Sequence, residues 1–280
     1  MKIDEQLIHT TIRIISERTD GLTSTGTGFF YMYNVCDRKI PVIVTNKHVL
    51  EKTLKLSLKF SIDSNGIFVP GDYYVINIDN PEHFIINHPD SDVDLCLIKI
   101  DHMLDSELQK NLCMFFLNKE NIITEEYVRN SISNIEEIYI VGYPNGIIDK
   151  FNNLPIVRKG ITATSLKYDF NNKKEFLIDS AIYIGSSGSP VFIFNQGLYS
   201  VGSTIYGGDR LILVGIVYAV NLYIANGKVE MKEIPTANAH VAETYIPNNL
   251  GVVIKACRLI DFDKIIDETY KNEEMNMQNS

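Results

Sequence analysis

Three short stretches carry side chains able to move a proton or attack a carbon, and each sits at the end of an apolar run. In "PVIVTNKHVL" the run ends at Thr45-Asn46-Lys47 and His48 follows. An imidazole, with an ordinary pKa of about 6.5, takes up and returns a proton around neutral pH, which makes His48 the candidate base. In "DSDVDLCLIKI" Asp94 opens the run Leu95 to Ile100, a place where a fixed carboxylate can orient an imidazole. Asp90 and Asp92, just before it, read as turn residues. In "IDSAIYIGSSGSPVF" six residues, Gly185 to Pro190, are all small or turn-forming. A plain turn needs one or two of these, whereas a tight turn that lifts one hydroxyl out of a sheet needs most of them. Ser187 is therefore the candidate nucleophile. The backbone N–H groups of Gly185 and Ser187, joined by Ser186, are candidate donors to a developing oxyanion, a contribution of about 3–4 kcal/mol in acyl transfer. The other five histidines (His9, His83, His88, His102, His240) have no comparable setting.

Short β-type runs must position these groups. Examples are "GTGFFYMYN", "IPVIVTN", "LKLSLKFSI", "DLCLIKI", "IEEIYIVGYP", "SPVFIF" and "LILVGIVYAVNLYI", punctuated by Gly, Asn, Asp and Pro. So many strands with few helices between them indicate an all-β barrel or sandwich. Two helical stretches are expected to be packing elements. One is Asp101 to Leu112; the other is Arg258 to Asn272, with Leu259, Phe262, Ile266 and Tyr270 on one stripe. The strands divide into residues 1–103 and 136–258, with a polar connector at 104–135 and a helix and tail at 259–280.

The bulk properties exclude some functions. The net charge of −9 and the pI of about 5.2 oppose a nucleic-acid footprint and attraction to an anionic membrane. No run has the ~18 apolar residues of a membrane span. The first 21 residues are charged throughout, so no export signal is expected and the location is expected to be cytoplasmic. The four cysteines lack metal-type spacing and are expected as thiols. His83, His88 and the nearby aspartates are too loosely spaced for a metal site, so neither metal nor cofactor is implied.

With His48, Asp94 and Ser187 in that chain order, the sequence resembles the chymotrypsin-like (trypsin-fold) serine peptidases. Among them it is most similar to bacterial trypsin-like peptidases akin to the high-temperature-requirement proteases. "STGTGFFYMYN" resembles their first hairpin, "VTNKHVL" the histidine motif, "DLCLIKI" the aspartate motif and "DSAIYIGSSGSPVF" the nucleophile motif. "VGYPNG" and "VRKGITATS" resemble strands opening the second barrel, and "LVGIVYAV" the strand lining the substrate cleft. An α/β-hydrolase would instead show GxSxG and the order Ser, Asp, His.

The resemblance implies two six-stranded antiparallel β-barrels with a C-terminal helix, the cleft between them and a His48-Asp94-Ser187 triad. It places Ala181 and Ile182 near the base of the specificity pocket, which suggests an apolar or small residue before the scissile bond. A peptide or protein substrate would add as a strand against Ile216, Val217 and Tyr218. Val49 and Tyr183 stand where extracellular members carry cysteines, Ser186 where zymogen-type members carry an aspartate, and Ser189 where a second glycine is usual. Activation by a newly cut N-terminus is not expected, nor is a peptide-binding module after residue 258. The rival expectation is a silent or latent protease fold that holds peptides and is switched on by a protein partner, with 104–135 and 221–249 as candidate contacts or lids.

Overall fold

The computed structural model describes residues 2–35, 38–104, 108, 111–227 and 242–278. After a short helix α1 (Ile3–Ile8), seven strands form one antiparallel sheet: β1 (Thr11–Arg18), β2 (Thr23–Val35), β3 (Arg38–Thr45), β4 (Thr53–Ser64), β5 (Ile67–Asp79), β6 (Ile85–Asn87) and β7 (Cys96–Lys99). Their order is β5-β4-β1-β2-β3-β7-β6. A second helix, α2 (Glu125–Ser131), leads into β8 (Glu137–Gly142), β9 (Ile156–Thr162), β10 (Glu175–Asp179) and β11 (Pro190–Asn195). A small ribbon of β12 (Leu198–Val201) and β13 (Thr204–Gly207) follows, then the long β14 (Arg210–Gly227) and β15 (Ala242–Lys255). Six of these strands close a barrel in the order β10-β15-β14-β11-β8-β9.

The apolar runs are continuous because many strands are buried on both faces. Along a strand successive side chains point to opposite sides. Thus Phe30, Ile43 and Ile98 fill the concave face of the first sheet, while their neighbours Phe29, Val44 and Leu97 point the other way. In the barrel, Ile140, Val191, Val214 and Val253 point inward; Val141, Phe192, Leu213 and Ile254 point out. The outward set of the barrel and the second set of the sheet join in one shared core between the two halves. That core also takes Leu259, Phe262, Ile266 and Tyr270, the stripe expected at the C-terminus, presented by a 3₁₀ segment Ala256–Phe262 and the helix α3 (Asp263–Gln278).

One expectation is corrected. The first half is a seven-stranded open sheet, not a closed six-stranded barrel. Its edges are β5, largely exposed, and β6, only three residues long. Its concave core is covered instead by chain from the connector: Leu104, Leu112, Met114 and Phe116 pack there, and Cys113 N–H bonds to Ser61 O. Further along, Leu117 bridges to Tyr31 and Ile122 to Leu213, so the same segment fastens both halves. Part of the helix expected at Asp101 to Leu112 and part of the candidate lid, residues 228–241, lie outside the described residues. Among the described residues, no helix is long and apolar enough to cross a membrane.

Candidate active site

Antiparallel pairing of β3 with β7 sets Thr45 opposite Cys96, so the residues just after β3 and just before β7 meet at one end of the sheet. His48 sits there in a 3₁₀ turn, Lys47–Val49, and Asp94 faces it. Gly26 of β2 makes room for this turn: a Cβ there would lie 2.5 Å from Val49 Cγ1. The imidazole Nδ1–H donates to Asp94 Oδ2 at 2.5 Å, and the backbone N–H of His48 donates to Oδ1 at 3.1 Å. With that proton on Nδ1, Nε2 is left as the acceptor. Asn46, fully buried, donates from Nδ2 to the Asp94 carbonyl at 2.6 Å and ties the two loops together. Burial alone would push the Asp94 carboxyl up. The hydrogen bond and charge of His48, with backbone N–H groups of His48 and Lys47, outweigh it and hold the group below the ordinary carboxylate range. Asp90 and Asp92 stand apart as loop residues, Asp90 pairing with Arg258 at 2.5 Å.

The turn that carries Ser187 lies between β10 and β11 and is built from backbone hydrogen bonds. Tyr183 to Ser186 form a β-turn closed by Ser186 N–H on Tyr183 O, with Gly185 in its third position at φ +88°. A type II turn demands that sign, and glycine supplies it without strain. The four peptides that follow Ile184 can be accounted for one by one. Ile184 O accepts from Asn145 N–H, Gly185 O from the Thr27 hydroxyl, Ser186 O from Ser189 N–H and Ser187 O from Thr27 N–H. On the N–H side, Ser186 donates to Tyr183 O and Gly188 to Val217 O. The N–H groups of Gly185 and Ser187 have no hydrogen-bond partner among the described residues. A trans peptide points its N–H opposite its C=O. Both N–H groups are therefore aimed away from the anchors that hold the Ile184 and Ser186 carbonyls. Ser186, with its own N–H committed to Tyr183, is not a third donor.

His48, Gly185 and Ser187 line one cavity of about 340 Å³, walled by Ile182, Val217 and Tyr218 among others. Burial, the Glu175 carboxylate and Asp94 together push the Tyr218 phenol up to about 12. Two sequence-predicted residues lie elsewhere. Ile216 is buried in the shared core and paired on both sides, with Pro190 and Ile254, so it offers no free edge. Ala181 does not line the cavity; its carbonyl accepts from Arg158, whose guanidinium also lies over the Tyr183 ring. Val217 has its backbone N–H on Ser189 O and its carbonyl on Gly188 N–H, and among the described residues no strand pairs with β14 beyond it on that side. Sequence reasoning missed Thr27, Asn46, Asn145 and Arg158. Asn145 alone had a signal, the Pro-Asn-Gly turn that follows an apolar run.

Comparison with known proteins finds one family and a set of solved structures similar to this chain. The family described as trypsin-like peptidase domain matches residues 26–199. Among solved structures, the serine endoprotease from Yersinia pestis aligns over 96% of this chain and 67% of its own, at 14% identity and a TM-score of 0.47. Catalytically active tobacco etch virus protease complexed with product aligns over 79% and 72%, at 16% identity and a TM-score of 0.46. An inactive serine-to-alanine form of Rv3671c from M. tuberculosis H37Rv aligns over 91% and 84%, at 13% identity and a TM-score of 0.43. No curated protein sequence matches the chain.

Proposed function

We infer that, in a chain that belongs to the family of trypsin-like peptidase domains and is by that membership a serine endopeptidase, His48, Asp94 and Ser187 carry the reaction. His48 Nε2 takes the proton from Ser187 Oγ as that oxygen attacks the peptide carbonyl. The imidazolium then hands the proton to the departing amine, and water, activated by the same imidazole, releases the acyl group. Asp94 holds the tautomer and balances the imidazolium charge. The N–H groups of Gly185 and Ser187 receive the oxyanion.

The observation that carries this reading is the His48–Asp94 pair facing the same cavity as Ser187 and two unpaired N–H groups. Substrate adds as an extended strand to the β14 edge from Tyr218 onward. The apolar wall of Ile182 and Val217 supports an apolar or small side chain before the scissile bond. The free thiols at Cys96, Cys113 and Cys257 support a reducing, cytoplasmic setting.

A fluorophosphonate probe tests the chemistry. Labelling of the wild type and none of Ser187→Ala is expected; equal labelling of both, or of neither, overturns the assignment. A peptide panel tests the pocket, and fastest cleavage after Arg would refute the apolar preference.

A further inference from the structure

Thr27, in the middle of β2, is fully buried, belongs to the first sheet and touches none of the reacting groups through its side chain. Yet three of its polar atoms are spent on fixing the surroundings of the nucleophile. Its backbone N–H donates to Ser187 O at 2.9 Å. Its hydroxyl donates to Gly185 O at 2.9 Å and accepts from the Tyr143 N–H at 3.1 Å. Its own carbonyl is held by the Thr45 hydroxyl at 2.8 Å and lies against Gly188, where a Cβ would come within 1.9 Å. The hydroxyl thus joins the first sheet, the end of β8 and the turn that presents the unpaired N–H groups.

We propose that the Thr27 hydroxyl is a positioning group for the oxyanion donors, acting through the Gly185 carbonyl; this rests on the reading of Ser187 as nucleophile. The physical reason lies in the flanking peptide planes. Gly185 has little intrinsic preference between its left- and right-handed conformations. Left to itself, the turn can rotate the plane that carries the Gly185 N–H. Asn145 N–H fixes the carbonyl on one side of Gly185, that of Ile184, at 2.5 Å; the Thr27 hydroxyl fixes the carbonyl on the other, its own. These anchors, with Ser186 N–H on Tyr183 O holding the second plane from its other end, set φ and ψ of Gly185, and hence the direction of the donor. With the hydroxyl removed, Gly185 O and Tyr143 N–H lose a partner in a buried place, and the Gly185–Ser186 peptide is held at its Ser186 N–H end alone.

The test compares variants that differ by the hydroxyl alone. Thr27→Val keeps the shape and loses the hydroxyl; Thr27→Ser keeps the hydroxyl and loses a methyl. The expected result for Thr27→Val is a fall in kcat of about tenfold to a hundredfold, the scale on which small misplacements act, with little change in KM. A peptidyl trifluoromethyl ketone, whose hemiketal oxygen occupies the oxyanion position, should weaken by a similar factor. The corresponding peptidyl trifluoromethyl carbinol, which cannot add the Ser187 oxygen and carries no anionic oxygen, should bind as before. Thr27→Ser should stay within about threefold of wild type in kcat, on the same scale of positional sensitivity, even where its melting temperature drops. Should Thr27→Val fail to fold, Thr27→Ser against Thr27→Ala makes the same comparison. Wild-type kcat in the hydroxyl-free variant overturns the proposal, as does equal weakening of the ketone and the carbinol. A wild type that neither hydrolyses peptides nor takes the fluorophosphonate overturns the function itself and is told apart by that control.

Discussion

The two halves of the molecule hold their share of the site by different means. On the open sheet, His48 and Asp94 stand at the ends of neighbouring strands and are fixed by side-chain hydrogen bonds, with His48 half exposed. On the closed barrel, Ser187 is fixed by its own main chain, in a turn with left-handed glycines at 185 and 188 packed against β2. The first arrangement leaves an imidazole accessible and oriented. The second gives up freedom of the chain, and leaves the Gly185 and Ser187 N–H groups without a hydrogen-bond partner among the described residues. It follows that the sheet side should be sensitive to the chemical identity of its side chains, and the barrel side to any added atom near its backbone.

The largest expected effect removes the reacting groups. Ser187→Ala should lower kcat by about 10⁴- to 10⁶-fold, and Asp94→Asn by about 10⁴-fold, because the amide leaves the imidazole in the wrong tautomer. Both should melt near the wild-type temperature. Peptide hydrolysis followed alongside thermal unfolding checks this; a loss of activity that follows a loss of fold would remove the distinction between the two halves.

Next comes the added methyl. In Gly185→Ala the Cβ meets Tyr143 O at 2.6 Å, and φ is +88°. The turn must shift, and kcat should fall by about 10²- to 10³-fold, as for loss of one oxyanion donor. In Gly188→Ala the clash is with Thr27 O across the two halves, and a stability loss of about 3 kcal/mol or more is expected. Gly21→Ala is the control: the same left-handed φ, +79°, with nothing within 4 Å. It should cost about 1 kcal/mol and leave activity alone. Denaturant titrations of all three separate backbone strain from crowding.

What the sequence disclosed follows the same division. The strand runs, His48, Asp94 and the Gly-Ser turn were legible because each depends on local residue type: apolar stretches, a base after a strand, glycine where φ is positive. The stripe Leu259, Phe262, Ile266 and Tyr270 was legible because helical spacing announces a buried face. The open first sheet was not, since closure depends on what covers the edge and the core; residues 111–117 do that by packing Leu112, Met114 and Phe116 and by backbone bonds whose partners the sequence does not announce. Ile216 misled for a related reason: an apolar residue beside the cleft strand looks the same whether its edge is free or already paired. Thr27 gave no signal, because a threonine in a strand is ordinary and the partners of its hydroxyl lie more than a hundred residues away.

A pH titration sharpens the contrast between an accessible histidine and a structural one. His88 is buried against Phe262, accepts the Asp90 N–H on Nδ1 and donates from Nε2 to Arg258 O, with the Asp90 and Asp261 carboxylates and the Arg258 guanidinium around it. Burial is the main cause that lowers its pKa; it outweighs the Arg258 carbonyl, which accepts from the ring and raises it, and the Arg258 charge lowers it further. The unfolded chain then binds a proton more readily than the folded one, so stability is full above about pH 6.5 and declines as pH falls below it. His9, also lowered by burial, acts in the same direction. Urea unfolding at pH 7.5 and pH 5.5 should show the decline, and His88→Gln should flatten it. A stability that rises on acidification contradicts the buried neutral imidazole.

The smallest effect concerns two hydroxyls that share the space above Gly142. A Cβ at Gly142 would meet Ser189 Oγ at 2.1 Å and Thr27 Oγ1 at 2.7 Å, so that glycine is what admits a serine at position 189. The Thr27 hydroxyl is bonded twice; Ser189 Oγ is buried with no hydrogen-bond partner among the described residues. A buried, unpaired hydroxyl carries a desolvation penalty of about 1–3 kcal/mol, against which a one-atom cavity is a small loss. Ser189→Ala should therefore be neutral or stabilising by up to about 1 kcal/mol, with kcat unchanged, next to a Thr27→Val that loses activity. Chemical denaturation and peptide hydrolysis of the two single variants decide it. If Ser189→Ala instead destabilised the fold or slowed turnover tenfold, the barrel side would owe its geometry to that side chain as well as to its backbone.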